Sequence, residues 1–69
     1  MTLEEALIKI TPYNKTYGEP HVSITLQSAT SGTINYLLDW KCFNREAEFS
    51  NLTELEKQID WLYINYPIN

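Results

Sequence analysis

The sequence has almost none of the residues that small proteins use for cross-linking. Among its 69 residues, Cys42 is the only cysteine and His21 is the only histidine. An internal disulfide is therefore impossible, and a structural zinc ion, which usually takes four Cys or His ligands, has too few candidates. A chain of this length buries only about 60% of the surface that its unfolded form exposes. We expect one small α+β domain over residues 1–69, without metal or cofactor, that depends on close packing and on association with a partner.

Basic residues are also scarce. Five Lys and Arg oppose nine Asp and Glu, which gives a net charge of −4. This balance disfavours nonspecific binding to nucleic acid, which needs clustered cations, and binding to anionic membranes. No apolar run approaches the ~18 residues of a membrane helix, and the acidic segment Met1–Glu5 is unlike a basic signal peptide. We expect a cytoplasmic protein with no direct contact to nucleic acid or to a membrane, and the single cysteine suits such a reducing compartment.

The amino-terminal segment has the pattern of a short helix. Thr2 and Glu5 have the spacing of a capping box, in which each side chain binds the backbone N–H of the other residue. Apolar residues then recur at i, i+3, i+4 and i+7, which predicts one buried face. They are Leu3, Ala6, Leu7 and Ile10. Pro12 predicts that the helix ends near Ile10 or Thr11 and that a loop follows over Thr11–Pro20.

Three later segments alternate between apolar and polar residues, as the strands of a sheet with one solvated face do. These strands are predicted over His21–Gln27, Thr33–Cys42 and Glu46–Phe49. The small residues of Ser28–Gly32 predict a hairpin turn, and a second turn is predicted near Asn44 and Arg45. The inward positions are Val22, Ile24, Leu26, Ile34, Tyr36, Leu38, Trp40, Cys42, Ala47 and Phe49.

A second helix is predicted over Leu52–Tyr63. Ser50, Asn51 and Thr53 all offer cap chemistry at its start, and either Asn51 with Glu54 or Thr53 with Glu56 has capping-box spacing. Its buried stripe consists of Leu52, Leu55, Ile59 and Leu62, with Tyr66 added if the helix runs on. The order of helix, three strands and helix predicts an α+β fold in which both helices pack on one face of a three-stranded antiparallel sheet.

This order and length resemble those of a double-stranded-RNA-binding domain. The segment Gly18-Glu19-Pro20-His21 is similar to the Gly-Pro-x-His segment that precedes the first strand of that family. The family holds phosphates with a run of lysines at the start of its last helix, where this sequence has the acidic segment Asn51–Glu56. An acidic helix end cannot neutralise phosphates. The resemblance therefore implies a shared topology without RNA binding.

Few residues suggest catalysis. His21, Ser23 and Asp39 are of the types that form a base, a nucleophile and an orienting acid, but the sequence has no nucleophile elbow and no Gly-rich oxyanion loop. The acidic pairs on the third strand and the last helix lack EF-hand spacing. We interpret His21 as an exposed strand residue, the acids as solvated surface and Cys42 as a buried apolar residue. We therefore expect no enzymatic activity.

Aromatic residues are the most informative feature for function. On a helical wheel, Trp61 lies ~140° from the centre of the buried stripe of the last helix. It forms a second, outward stripe with Lys57 and Ile64. Trp is typical of protein interfaces; the alternatives are that the helix ends early or that a chain terminus covers Trp61. Further candidates for contact with a partner or a second copy are Tyr13 and Tyr17 in the loop and Leu37 on the polar sheet face.

These features predict a small, acidic, non-enzymatic protein-binding module. It would regulate or inhibit another protein through its C-terminal helix, or bind a copy of itself. One alternative is an acidic inhibitor of a nucleic-acid-binding protein, of the type that phages and mobile elements encode. Its acidic surface would consist of Glu46, Glu48, Glu54, Glu56 and Asp60. Another alternative is small-ligand binding at the Tyr13–His21 loop.

Overall fold

A computed structural model describes residues 1–17, 21–39 and 43–67. Helix α1 (Leu3–Tyr17) is followed by strands β1 (Val22–Leu26), β2 (Gly32–Asp39) and β3 (Phe43–Phe49), and then by helix α2 (Leu52–Asn65). The strands form one antiparallel sheet in the order β1-β2-β3. The predicted α+β fold is confirmed. The predicted inward positions Trp40 and Cys42 lie outside the described residues.

Helix α1 begins as predicted and ends later than predicted. The Thr2 hydroxyl accepts a hydrogen bond from the Glu5 amide, and the Glu5 carboxylate accepts one from the Thr2 amide, both at 3.1 Å. These bonds favour the charged carboxylate and lower the pKa of Glu5. Pro12 lies inside the helix, so the prediction of a helix end near Thr11 and of a loop over residues 11–17 is wrong.

Tertiary contacts explain why α1 continues past Pro12. A proline in a helix interior destabilises the helix by about 3 kcal/mol. The next residue, Tyr13, however, has a side chain that is fully buried in the core. The Asn14 carboxamide binds both backbone groups of Val22, since Val22 donates to Oδ1 at 2.9 Å and Nδ2 donates to the Val22 carbonyl at 3.1 Å. Both contacts require the last turns of α1 to be helical, and they offset the destabilisation of the helix by Pro12.

The β1–β2 hairpin is closed by serine side chains and by one glycine. The Ser28 and Ser31 hydroxyls lie 2.6 Å apart, and the Ser28 hydroxyl also accepts the Ser31 amide at 3.1 Å. A Cβ at Gly32 would lie 2.1 Å from the carbonyl oxygen of Thr25. Only glycine therefore permits this approach of the two strands.

Strand β3 is longer than predicted. It begins at Phe43, so Arg45 lies within the strand, opposite Tyr36, and the turn predicted near Asn44 and Arg45 is wrong. The irregularity of the β2–β3 pairing lies instead between Leu37 and Asp39. The alternation predicted for the end of β3 is confirmed, since Glu46 and Glu48 are exposed while Phe49 is buried.

One face of the sheet carries both helices. The core consists of Ala6, Ile10 and Tyr13 of α1, Val22, Ile34, Tyr36 and Phe49 of the sheet, and Leu55, Ile59 and Leu62 of α2. Two residues predicted to be inward are instead largely exposed, namely Leu7 at 47% and Leu26 at 44%. Both belong to α1 or β1, the elements at one side of the fold, and nothing in the described chain packs beyond them.

Helix α2 begins as predicted and is fixed at its end by α1. The Asn51 side chain accepts the Glu54 amide at 2.9 Å, and the Glu54 carboxylate accepts the Ser50 amide at 2.8 Å. The Tyr13 hydroxyl donates to the carbonyls of Leu62 at 3.2 Å and Tyr66 at 2.5 Å. Neither α1 nor α2 combines the length and the apolar character needed to cross a membrane.

Candidate functional site

The outward side of α2 carries an exposed apolar residue next to a cation. Ile64 is 78% exposed, and Lys57, two turns earlier on the same side, is also exposed. Single exposed aliphatic residues are ordinary on protein surfaces. The neighbours of Ile64 therefore decide whether this side of the helix is a candidate site.

Trp61 lies between these two residues and is half-buried, not wholly outward. Its ring contacts the ring of Tyr36 at a centroid distance of 5.7 Å and the ring of Tyr66 at 6.1 Å. The Cζ atom of Arg45 lies 3.9 Å from the centroid of the indole. The alternative in which residues near a chain terminus cover Trp61 is therefore partly correct, because Tyr66 packs beside it. The remaining part of the indole is accessible.

Arg45 is one of two residues of this site that sequence reasoning missed; the other is Tyr66, which was assigned only to the buried stripe. Because a turn was predicted at Asn44 and Arg45, Arg45 was not assigned to β3. In the structure it lies in that strand, on the inward face of the sheet beside Tyr36. Stacking of a guanidinium on Trp contributes about 0.5–1 kcal/mol at an exposed site. Among the side chains that the structure describes, the one ion pair joins the Met1 amino group to Glu56 at 3.6 Å and does not involve Arg45. The signal that could have found it is the alternation of β3, extended two residues backwards.

Tyr36 forms the buried base of the same cluster. Its hydroxyl donates to the Gln58 carbonyl at 3.1 Å. Burial raises the pKa of Tyr36 to about 12, and the positive charge of Arg45 lowers it to a smaller extent. We call Arg45, Lys57, Trp61, Ile64 and Tyr66 the Trp61 surface. Arg and aromatic residues of this kind are the types that supply most of the binding energy at protein interfaces.

The two tyrosines predicted to form a recognition loop are in helix α1. Tyr13 is fully buried and makes an edge-to-face contact with Tyr63 at a centroid distance of 5.2 Å. Its side chain is not accessible to a partner, so its expected place in an exposed loop is wrong. Tyr17 is the last residue of α1. The rest of the predicted Tyr13–His21 loop, residues 18–20, lies outside the described residues.

The outer face of the sheet is open and mostly polar. Leu37 is 47% exposed there, as predicted. The ring Nδ1 of His21 donates to the Leu37 carbonyl, so this backbone group occupies one of the nitrogens that a catalytic base would use. Ser23 is exposed beside them on β1. Among the residues that the structure describes, no three His, Cys, Asp or Glu side chains come together as a metal site would require.

The five acidic residues do not share one surface. Glu46 and Glu48 point away from the helices, on the outer face of the sheet. Glu54, Glu56 and Asp60 lie on α2, which covers the opposite face. Glu54 caps the helix and Glu56 pairs with the Met1 amino group, so two of the carboxylates already have partners within the fold.

No protein-family model, no curated protein and no solved structure matches this chain. The assignment of function therefore rests on the geometry of these side chains.

Proposed function

We propose that this chain is a small, non-enzymatic protein-binding module and that the Trp61 surface is its binding site. The observation that carries the proposal is the 78% exposure of Ile64 next to the accessible part of Trp61. Burial of apolar surface stabilises association by about 25 cal/mol per Å². A partner that covers Ile64 and the indole together gains this free energy of apolar burial without any change in the conformation of this chain.

The preorganisation of Trp61 also supports the proposal. The indole is held by Tyr36 and Tyr66 on its flanks and by the Arg45 guanidinium on its face. A side chain that is already ordered loses little conformational entropy on binding, which otherwise opposes association by about 0.5–1.5 kcal/mol per side chain. Trp61 therefore has the properties of an interface anchor.

The charges at the rim define the kind of partner. Arg45 and Lys57 are cations beside Trp61 in a chain of net charge −4. A partner with an apolar centre and acidic residues at its edge matches this surface, because it pairs with both cations while it covers the indole. The acidic residues are dispersed over two faces, whereas an acidic mimic of nucleic acid needs its negative charges on one side. Their distribution therefore favours binding through the Trp61 surface over mimicry of nucleic acid.

The test is affinity capture from a lysate of the source organism with wild type, Ile64→Ser and the control Ile8→Ser. Ile8 is 64% exposed on α1, so its replacement removes a similar side chain elsewhere. We expect a protein that wild type and Ile8→Ser retain and that Ile64→Ser loses, with an affinity at least ~tenfold weaker when the purified partner is titrated. Equal retention by all three variants would show that α2 is not the binding site.

A further inference from the structure

Strand β1 has one side without a neighbouring strand. The Leu37 amide donates to the His21 carbonyl at 2.6 Å, and the Gln27 amide donates to the Ser31 carbonyl at 2.9 Å. Because hydrogen-bonding direction alternates along an antiparallel strand, the odd-numbered residues of β1 face β2. The backbone N–H and C=O groups of Val22, Ile24 and Leu26 therefore point away from the sheet.

Asn14 blocks the first of these positions and leaves the other two open. Its carboxamide accepts from the Val22 amide and donates to the Val22 carbonyl, as a neighbouring strand would. In the described parts of the chain, no hydrogen bond satisfies the outward groups of Ile24 or Leu26. The open stretch of edge thus consists of two residues with the i, i+2 spacing of a strand pair.

The two edges of the sheet differ in how they are protected. The outward backbone groups of β3 belong to residues such as Glu46 and Glu48, whose exposed carboxylates repel a second strand of the same kind. Strand β1, with the sequence VSITL, has no charged residue. Its edge is therefore the one at which two copies of an acidic chain can meet without direct repulsion.

An exposed apolar residue of α1 lies next to the open edge. Asn14, near the end of α1, binds Val22 at the start of β1. Met1, just before α1, pairs with Glu56 early in α2, which follows the end of β3, a strand parallel to β1. Helix α1 therefore runs antiparallel to β1, and Leu7 precedes Asn14 by about 10 Å of helix. From Val22, the strand advances about 7–13 Å to reach Ile24 and Leu26. Leu7, 47% exposed, is therefore level with Leu26, 44% exposed, and both are uncovered.

We propose that a second copy of this chain binds at the β1 edge, by antiparallel β1–β1 pairing about a twofold axis at Thr25. In this register, Ile24 of each copy exchanges both backbone hydrogen bonds with Leu26 of the other, and Val22 remains bound to Asn14. The two three-stranded sheets become one continuous sheet. The twofold axis also brings Leu7 and Leu26 of one copy against the same residues of the other, which buries the exposed apolar residues at this edge.

The self-complementarity of this edge favours a second copy over a foreign strand. A twofold axis places like residues together, and this arrangement is stabilising only where they are uncharged and apolar, as they are here. Strand β1 has no charged residue that could give this edge specificity for the sequence of a foreign peptide. The proposal is independent of the Trp61 surface, because it uses α1 and β1 and not α2.

The test is the mass of the chain in sedimentation velocity, with Leu7→Glu and the matched control Leu37→Glu. Both leucines are 47% exposed, but Leu37 is on the outer face of the sheet. We expect a dimer for wild type and for Leu37→Glu, and a dissociation constant at least ~tenfold higher for Leu7→Glu, because the twofold axis places its two carboxylates together. A dimer that Leu37→Glu disrupts and Leu7→Glu leaves intact would place the interface on the outer face and overturn the proposal.

Amide hydrogen exchange gives a second, residue-specific measurement. The outward amides of Ile24 and Leu26 should exchange slowly in the wild-type dimer and rapidly in folded Leu7→Glu, while the Thr25 amide, which faces β2, stays protected in both. A wild-type chain that is monomeric up to about 1 mM, with rapid exchange at Ile24 and Leu26, would also overturn the proposal.

Discussion

Replacing Tyr13 by Phe tests the packing of the two helices directly. The Tyr13 hydroxyl lies 3.2 Å from the Leu62 carbonyl and 2.5 Å from the Tyr66 carbonyl, at the end of α2. Tyr13→Phe keeps the buried ring and removes only the oxygen. The Leu62 carbonyl still accepts the Tyr66 amide at 2.8 Å, so the change removes hydrogen bonds without leaving that acceptor unpaired.

We expect Tyr13→Phe to lower the free energy of unfolding by about 1–2 kcal/mol, the value for loss of a buried hydrogen bond with partial compensation. A domain of this size has a total of only about 3–5 kcal/mol, so the urea midpoint should fall by roughly a third. The assay is urea denaturation followed by far-ultraviolet circular dichroism. The m-value should not change, because the surface exposed on unfolding is the same.

Tyr63→Phe is the matched control. Its hydroxyl donates to the Lys9 carbonyl at 2.6 Å, so it also joins α2 to α1, but it is exposed. Water replaces an exposed hydroxyl, and the expected change is within about 0.5 kcal/mol. If Tyr63→Phe destabilised the fold as much as Tyr13→Phe, or if Tyr13→Phe had no effect, Tyr13 would not occupy the buried position described here.

Two further predictions concern the sheet. Gly32→Ala should lower the free energy of unfolding by about 1–3 kcal/mol, because the new Cβ would lie 2.1 Å from the Thr25 carbonyl oxygen; a urea midpoint at or above that of wild type would contradict this close approach. Tyr36 has a folded-state pKa of about 12, above its usual 10.0, so the unfolded chain loses the phenolic proton first and stability should fall as the pH rises from about 10 to 12. Ultraviolet titration of wild type and Tyr36→Phe at the tyrosinate band checks this: the ionisation that the variant lacks should lie well above the usual pKa of 10.0, and a difference centred at that usual value would exclude a buried Tyr36.

Local interactions made much of the fold predictable. The caps at Thr2 and Asn51 involve residues three apart, and the structure contains both hydrogen-bonded pairs. The stripe of Leu55, Ile59 and Leu62 depends only on helical spacing, and all three residues are buried. Sequence pattern was sufficient for these features because the contacts that control them lie within one element.

Contacts between distant residues explain the errors. Pro12 was expected to end α1. However, Tyr13 and Asn14 form hydrogen bonds with residues of α2 and β1, and such long-range contacts cannot be recognised from the local sequence pattern. In the same way, the helical wheel placed Trp61 outside the buried stripe but could not show that Arg45, 16 residues earlier, stacks on its ring. The residues that pack on Trp61 could therefore be identified only from the tertiary structure.

The pairing of α1 with α2 has a consequence for biosynthesis. Tyr13 and Lys9 contact the end of α2, at sequence separations of 49 to 54 residues. While the ribosome is still making the middle of the chain, α1 has no helix to pack against, and the apolar side of the sheet is uncovered. The domain can therefore acquire its core only after residues 62–66 have been made. Until then, Tyr13 and the apolar residues around it are available to chaperones.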